Sequence, residues 1–135
     1  MIRMTRTDYL ASLEPKKTGR VKNAKRAEVD GISFDSKAEA ARYQTLKMLV
    51  QTRHITGLRR QVSFALVGHL GPILTPTGRP MRYVADFVYF DREGREVVED
   101  VKGHKTEAYL IKKAILAAQG VTIHEVKAVT RGRGK

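Results

Sequence analysis

The chain has 135 residues, a length typical of one domain, and 41% of them are hydrophobic, which is enough for a single modest core. Its formal net charge of +12, from 26 Lys and Arg against 14 Asp and Glu, makes a polyanion, above all nucleic acid, the expected partner. The absence of cysteine excludes disulfides and thiolate zinc sites, so any metal is expected to have carboxylate ligands, which favours Mg²⁺ or Mn²⁺. No apolar run approaches the roughly 20 residues of a membrane span, and we expect a soluble, cytoplasmic protein.

The first thirty residues are basic and contain few large apolar residues, so this segment cannot bury enough surface to fold alone. We interpret residues 1–30 as a flexible basic arm and residues 128–135 as a basic flexible tail, which leaves residues 31–127 as the folded domain. The cations of these two segments that we expect to contact nucleic acid are Lys16, Lys17, Arg20, Lys22, Arg131 and Arg133. The alternative for the arm is a solubilising segment without a partner.

The start of the first helix is predicted at residues 36–39. Ser-Lys-Ala-Glu has the S-x-x-E spacing of a capping box there, and good helix formers follow. We expect this helix to run to about Arg53. Alternating apolar residues over 61–67 predict the first strand. Glycine and proline breakers over 68–80 then predict a long loop.

Two more strands are predicted at residues 82–90 and 96–102, where β-branched and aromatic residues are frequent. Thr106 is the predicted cap of a second helix that ends at Gly120, and residues 121–126 form the last predicted strand. The order of the elements is therefore helix, three strands, helix, strand.

The turn at residues 91–94, Asp-Arg-Glu-Gly, fixes the register of the two strands that it joins. Asp at its first position and Gly at its fourth favour a type I turn with a bulge. Continuing the ladder from this turn places Asp86 opposite Asp100. Lys102 lies two residues beyond Asp100 and projects from the same face, whereas Glu99 points to the other face.

Two carboxylates directly opposite each other repel, since their Cβ atoms are about 4.5–5.5 Å apart in such a pair. A divalent cation between Asp86 and Asp100 would offset the repulsion and keep both acids ionised. The alternative is that both acids are solvated on an exposed face, with Lys102 as a salt-bridge partner. Both acids lie in apolar strand contexts, where a carboxylate without a function is costly, and this favours a functional site.

These residues resemble the PD-(D/E)xK nuclease superfamily, specifically its small phage-encoded branch, in which an acid and a (D/E)xK element share a β-hairpin. Asp86 matches the first acid and Asp100-Val101-Lys102 matches the (D/E)xK element, while Ala85 replaces a proline that carries no chemistry. The resemblance covers roughly residues 29–126. It implies an α/β fold with an αβββαβ restriction-endonuclease-like core, in which helices flank a central mixed four-stranded sheet.

The resemblance also implies which residues form the site. Asp86, Asp100 and Lys102 would be catalytic, and the two aspartates with the Val101 carbonyl would bind one or two Mg²⁺, for which Mn²⁺ would substitute. Glu39 has two interpretations. It is either an additional catalytic acid and metal ligand supplied by the first helix, or the capping residue that bonds the first amide of that helix.

Three further residues are expected near the DNA. Gln61 resembles a polar position that lies near the metal in related nucleases, although a glutamine at a strand end is also a common solvent contact. Lys112 and Lys113 are either ordinary exposed helix lysines or contacts to the DNA backbone, and we expect one of the pair to bind phosphate.

The function that the resemblance implies is Mg²⁺-dependent hydrolysis of phosphodiester bonds by a DNA endonuclease acting on double-stranded or branched DNA. By analogy with Holliday-junction resolvases, we expect substrates from recombination or replication, a possible homodimer, and action in the host cytoplasm if a phage encodes the chain. One alternative is a basic DNA-binding protein without catalysis. A second is an RNA-binding protein, although the chain lacks an RNP-type aromatic strand motif.

Overall fold

Helices and strands follow one another in the predicted order, with short hairpins added between them. The structure is a computed structural model and describes residues 26–128. In chain order its elements are β1 (Ala27–Val29), β2 (Ile32–Phe34), α1 (Lys37–Gln51), β3 (Thr56–Ala65), β4 (Val67–Gly68), β5 (Gly71–Pro72), β6 (Arg82–Phe90), β7 (Glu96–Lys102), α2 (Glu107–Ala118) and β8 (Ile123–Lys127). The predicted αβββαβ order is confirmed by α1, β3, β6, β7, α2 and β8.

The central sheet has four strands in the order β3-β6-β7-β8. Strands β3, β6 and β7 are antiparallel neighbours, whereas β8 is parallel to β7. A parallel partner needs a crossover connection, and α2 supplies it between β7 and β8. The mixed four-stranded sheet that we predicted is therefore confirmed, with β6 and β7 at its centre.

Both helices begin at the predicted caps. The Ser36 hydroxyl accepts a hydrogen bond from the Glu39 amide at 3.1 Å, and the Thr106 hydroxyl accepts one from the Tyr109 amide at the same distance. Each bond satisfies an amide that the first helical turn leaves without a backbone partner. Neither helix within residues 26–128 is long and apolar enough to cross a membrane.

The core is divided between the two faces of the sheet. We call the buried group around α1 the first-helix cluster; it consists of Phe34, Ala40, Leu46, Ile55, Phe87 and Tyr89. The group around α2 is the second-helix cluster; it consists of Leu66, Tyr83, Ala85, Val88, Val98, Tyr109, Leu116 and Ile123. Each helix thus covers one face, and the central strands are buried on both sides, as their apolar composition predicts.

The end of the predicted arm is part of the fold. Strands β1 and β2 form a hairpin that crosses residue 30, the predicted boundary between the basic arm and the folded domain. Asp30 and Gly31 connect them with φ angles of 54° and 76°, and an Asp-Gly pair with positive φ at both residues is a strong signal for a two-residue hairpin turn. The Asp-Gly pair is thus a local signal in the sequence for a hairpin that begins before residue 30.

Two further boundaries differ from the prediction. Strand β3 begins at Thr56, five residues before the predicted start, because Arg59 and Arg60 interrupt the apolar pattern there without ending the strand. The predicted loop over 68–80 contains the short β4-β5 hairpin and an isolated bridge between Leu74 and Pro80. Strands this short have no periodicity that a sequence pattern could reveal.

Candidate active site

The turn between β6 and β7 has the predicted geometry. The Asp91 amide donates to the Arg95 carbonyl at 2.9 Å, the Gly94 amide donates to the Asp91 carbonyl at 3.0 Å, and Gly94 has a φ of 77°. The predicted register follows from this turn. The three pairs that we predicted next to Asp86 and Asp100 are present, namely Tyr89 with Val97, Val88 with Val98 and Phe87 with Glu99.

The regular ladder ends one pair before Asp86, where β6 is distorted. Ala85 and Val88 both belong to the second-helix cluster, so the alternation of side chains changes phase between them. Across the sheet, Gln61 has a left-handed backbone with a φ of 50°, which is strained for a residue with a side chain. The Asp86 carboxyl accepts a hydrogen bond from the Val101 amide at 2.8 Å and a longer one from the Gln61 side chain at 3.4 Å.

The distortion leaves Asp86 in direct interaction with Asp100. Burial, the Asp100 carboxyl and the charge of Glu39 raise the pKa of Asp86 to about 8, whereas the Val101 amide opposes the shift. Asp100 is only 2% exposed. The half-buried Asp86 and the buried Asp100 thus interact directly, and the neighbouring negative charge disfavours the ionised form of Asp86.

Lys102 completes the predicted group of three. Its Nζ atom lies 2.9 Å from Oδ2 of Asp100 and 4.2 Å from the centre of the Tyr109 ring. The Asp100 Oδ2 atom is nevertheless buried without any hydrogen bond of good geometry within residues 26–128, so the ammonium group is its ionic neighbour only. A buried carboxylate oxygen without a donor is an available ligand atom.

Glu99 points to the other face of β7, as predicted. It accepts two hydrogen bonds from the Arg42 guanidinium of α1, at 2.8 and 2.6 Å, and another from the Tyr89 hydroxyl. Glu99 therefore joins α1 to the sheet and takes no part in the group around Asp100.

Glu39 lies within electrostatic range of the two aspartates. Burial, followed by the negative charges of Asp35 and Asp100, raises the pKa of Glu39 to about 6. The Glu39 amide bonds the Ser36 hydroxyl, but in the part of the chain that the structure describes its carboxyl makes no reciprocal hydrogen bond. Only half of the predicted capping box is formed, and this favours the interpretation of Glu39 as part of the site.

The donor set fits a hard divalent cation. Within residues 26–128 no group of three or more His, Cys, Asp or Glu side chains is already arranged to hold a metal ion. Mg²⁺ usually keeps several waters and takes only one or two carboxylates from the protein. The carboxyls of Asp86 and Asp100 satisfy that requirement, and Glu39 is close enough to interact with both through its charge.

The two interpretations of Glu39 predict different results for Glu39→Gln. We expect this variant to be at least as stable as the wild type at pH 7, because no hydrogen bond of the carboxyl is lost and the burial and negative charges that raise the pKa of Glu39 to about 6 disfavour the ionised acid. We also expect it to bind Mn²⁺ at least tenfold more weakly, as measured by isothermal titration calorimetry. The Ser36→Ala variant is the matched control, because it removes the cap and should cost about 1 kcal/mol without changing Mn²⁺ affinity. The reverse pattern would make Glu39 a cap.

The residues that we predicted to contact DNA lie at different places relative to the candidate site. Gln61 lies at the site, bonded to Asp86, but in the middle of β3 and not at a strand end. Lys113 forms an ion pair with Glu125 at 3.0 Å, whereas Lys112 lines an open cavity beside Lys102. The basic residues predicted in the arm and the tail lie outside the described residues; they are Lys16, Lys17, Arg20, Lys22, Arg131 and Arg133.

Sequence reasoning missed Tyr83, which is 5% exposed and lies beside Asp100. Burial and the neighbouring Asp100 carboxyl raise the pKa of Tyr83, but its hydroxyl has no partner with hydrogen-bond geometry among the described residues. Tyr83 belongs to a run of aromatic and apolar residues on β6, where it resembles an ordinary core residue. Only the distortion at Asp86 brings its face toward Asp100, and no sequence pattern marks that distortion.

Comparison with known proteins identifies the family. No curated protein and no solved structure matches the chain. Residues 20–131, most of the chain, match the family described as "Protein of unknown function (DUF1064)". The match includes every element described above, from β1 to β8. The chain therefore belongs to this family.

Proposed function

We propose that the chain is a metal-dependent DNA endonuclease that hydrolyses phosphodiester bonds. The observation that carries the proposal is the interacting pair of the half-buried Asp86 and the buried Asp100, with the Lys102 ammonium 2.9 Å from Asp100. Two acids that interact away from water reduce the stability of the protein. Such pairs tend to occur where the acids have a chemical function. Metal binding followed by phosphate hydrolysis is the task that this set of side chains supports best.

The residues have distinct parts in the proposed reaction. Asp86 and Asp100 hold Mg²⁺, for which Mn²⁺ substitutes, with Val101 and Glu39 as the remaining protein groups. The bound cation supplies charge that polarises the scissile phosphate and lowers the pKa of a water. Lys102 is fixed between Asp100 and the Tyr109 ring, so its ammonium is held ready to orient that water or to stabilise negative charge on the phosphate.

The proposed substrate is DNA, because the chain carries a net charge of +12 and a polyanion is its natural partner. Contacts to phosphates would make binding steeply dependent on salt. A preference for branched DNA, including four-way junctions, follows from the resemblance alone. Two equivalent strands of such a junction would require a homodimer.

The test is incubation of the full-length protein with linear, nicked, flapped and four-way DNA in Mg²⁺, with Asp100→Asn beside the wild type. We expect cutting by the wild type that EDTA abolishes, and none by Asp100→Asn. DNA binding by the variant, measured by a gel shift in EDTA, should remain within about twofold of the wild type, since its fold and basic surface are unchanged.

Each outcome of this test is informative. Cutting by Asp100→Asn at the wild-type rate would contradict the assignment of the site. Salt-dependent DNA binding without cutting of any substrate, in Mg²⁺ or Mn²⁺, would contradict the nuclease and support the basic DNA-binding protein. Preferential cutting of one DNA form would define the substrate class.

A further inference from the structure

An open cavity of about 380 Å³ lies beside the candidate active site, against the first turns of α2. Its volume falls at the lower end of the range of roughly 300–1,000 Å³ that is typical of small-ligand sites. Lys102 and Tyr83, which surround Asp100, also line this cavity. A group bound there would therefore lie next to the proposed metal site.

The cavity wall is cationic. Arg82, Lys102 and Lys112 are among its lining residues, and none of the lining residues is a carboxylate. Lys105 and Lys113 share one counter-ion, the Glu125 carboxyl, at 2.9 and 3.0 Å, and Lys102 pairs with Asp100 at 2.9 Å. The wall therefore carries three cationic side chains and no carboxylate of its own.

Lys112 is the cation available for a ligand. Lys102 is paired with Asp100, whereas Lys112 forms no ion pair with any residue between 26 and 128. It is held against the wall by α2, at intermediate exposure, and does not extend freely into solvent. A cation fixed at a cavity without a counter-ion favours an anionic ligand.

Two residues that carry hydroxyl groups, Thr106 and Tyr83, also line the cavity. Thr106 and Ala108 line the cavity at the start of α2, a helix of 12 residues whose amino-terminal dipole also favours an anion. Tyr83, 5% exposed, lines the cavity as well, and within the described part of the chain its hydroxyl has no hydrogen-bond partner. Hydroxyl donors, amide dipoles and a lysine together form the usual environment of a bound phosphate.

We propose that this cavity is a phosphate subsite, in which Lys112 binds the phosphate of the nucleotide next to the bond cut at Asp86 and Asp100. The inference rests on the proposed nuclease function. It distinguishes Lys112 from Lys113, which pairs with Glu125, and adds Thr106 to the residues that contact the strand. The shared chemistry is a phosphate group, either an internal phosphodiester or a terminal phosphomonoester.

The test measures binding without metal or cleavage. Fluorescently labelled dinucleotides, one with only its internal phosphate and one with an added 5′-phosphate, are titrated with full-length protein in EDTA and followed by fluorescence polarisation. We expect Lys112→Gln to weaken the binding of at least one ligand on the order of tenfold, and inorganic phosphate to compete with that ligand on the wild type. The ligand that loses affinity identifies the source of the phosphate.

Two variants control for charge and folding. Lys37→Gln removes the same charge from an exposed lysine at the start of α1, far along the chain from the cavity, and should change affinity less than twofold. Lys112→Arg keeps the charge and should retain most of the binding. Equal effects of Lys112→Gln and Lys37→Gln on both ligands would overturn the subsite.

Failure of the subsite and failure of the nuclease give different results. If the chain cuts no DNA, the proposed function fails, yet a selective loss of dinucleotide binding in Lys112→Gln still supports a phosphate site. If the wild type cuts DNA but Lys112→Gln binds both dinucleotides as Lys37→Gln does, the subsite fails and the nuclease stands.

Discussion

Arg42→Gln is expected to destabilise the protein by about 3 kcal/mol. Arg42 belongs to α1 and contacts the face of β7 that points away from Asp100. The Arg42 guanidinium donates two hydrogen bonds to Glu99, which is only 3% exposed. Removing one partner of a buried ion pair leaves the other charge without compensation, which typically costs 3–5 kcal/mol. The lower value applies because the Tyr89 hydroxyl still donates to Glu99.

The measurement is urea unfolding at pH 7 in EDTA, followed by circular dichroism. Arg59→Gln is the matched control, since the Arg59–Glu96 ion pair joins the same sheet at 3.2 Å but both side chains are about half exposed. Exposed pairs contribute roughly 0–1 kcal/mol, so this variant should unfold close to the wild type. Equal losses in the two variants would mean that the Arg42–Glu99 pair stabilises no more than a surface contact.

A second variant separates charge from packing. In Arg42→Met combined with Glu99→Leu the buried charge is gone, and replacing a whole buried pair with apolar residues is often neutral or stabilising. We expect the double variant to recover much of the stability that Arg42→Gln loses. A double variant less stable than Arg42→Gln would show that the shape of the pair, and not its charge, supports the packing of α1.

The Arg42–Glu99 pair marks the limit of sequence reasoning about the fold. Caps, periodicity and turn residues are local signals, and they predicted both helix starts and the order of the core elements. The partners of a buried ion pair 57 positions apart share no local pattern. Alternation along β7 predicted that Glu99 leaves the face of Asp100, but its partner depends on how α1 packs against the sheet.

The candidate site divides in the same way. The spacing of Asp100 and Lys102, together with the turn at 91–94, predicted which side chains come together, because register and alternation are set locally. The distortion at Asp86 was not predictable, since it depends on the left-handed Gln61 in a strand that is distant along the chain. That distortion also explains how Tyr83, an apparent core residue, comes to lie beside Asp100.

Asp86→Asn is expected to stabilise the metal-free protein and to abolish cleavage. The pKa of Asp86 is raised to about 8 in the folded protein, from an ordinary value of 3.8, chiefly by burial and then by Asp100. The folded state therefore holds a proton that the unfolded state releases. This contribution to stability is fully present below pH 4 and is lost as the pH rises to about 8.

Asparagine imitates the protonated acid at every pH. Its side-chain oxygen can accept the hydrogen bond from the Val101 amide, and its NH₂ group can donate to Asp100. We expect Asp86→Asn in EDTA to be about 1–2 kcal/mol more stable than the wild type at pH 8, with a smaller difference at pH 4.5, where most of the contribution of the Asp86 proton is retained. Cleavage in Mg²⁺ should fall about 10³-fold or more, since a ligand of the cation is lost.

Thermal unfolding at pH 4.5, 6 and 8, with EDTA and with Mg²⁺, checks these expectations. Mg²⁺ should raise the melting temperature of the wild type, more at pH 8 than at pH 6, because the cation competes with the proton at Asp86. It should not raise that of Asp86→Asn. Glu28→Gln is the control, since Glu28 is an exposed acid of β1, and its removal should alter neither the pH dependence nor the response to Mg²⁺.

Opposite changes in stability and cleavage carry more weight than the loss of cleavage alone. A substitution that merely disrupts packing lowers both stability and cleavage. Removing one of two opposed acids instead relieves a repulsion, which in the wild type only a bound cation would offset. If Asp86→Asn were less stable than the wild type at pH 8, the ionised Asp86 carboxylate would stabilise the fold, and the repulsion inferred between Asp86 and Asp100 would be wrong. If Mg²⁺ stabilised both proteins equally, the cation would bind elsewhere, and Asp86 and Asp100 would lose the role proposed for them.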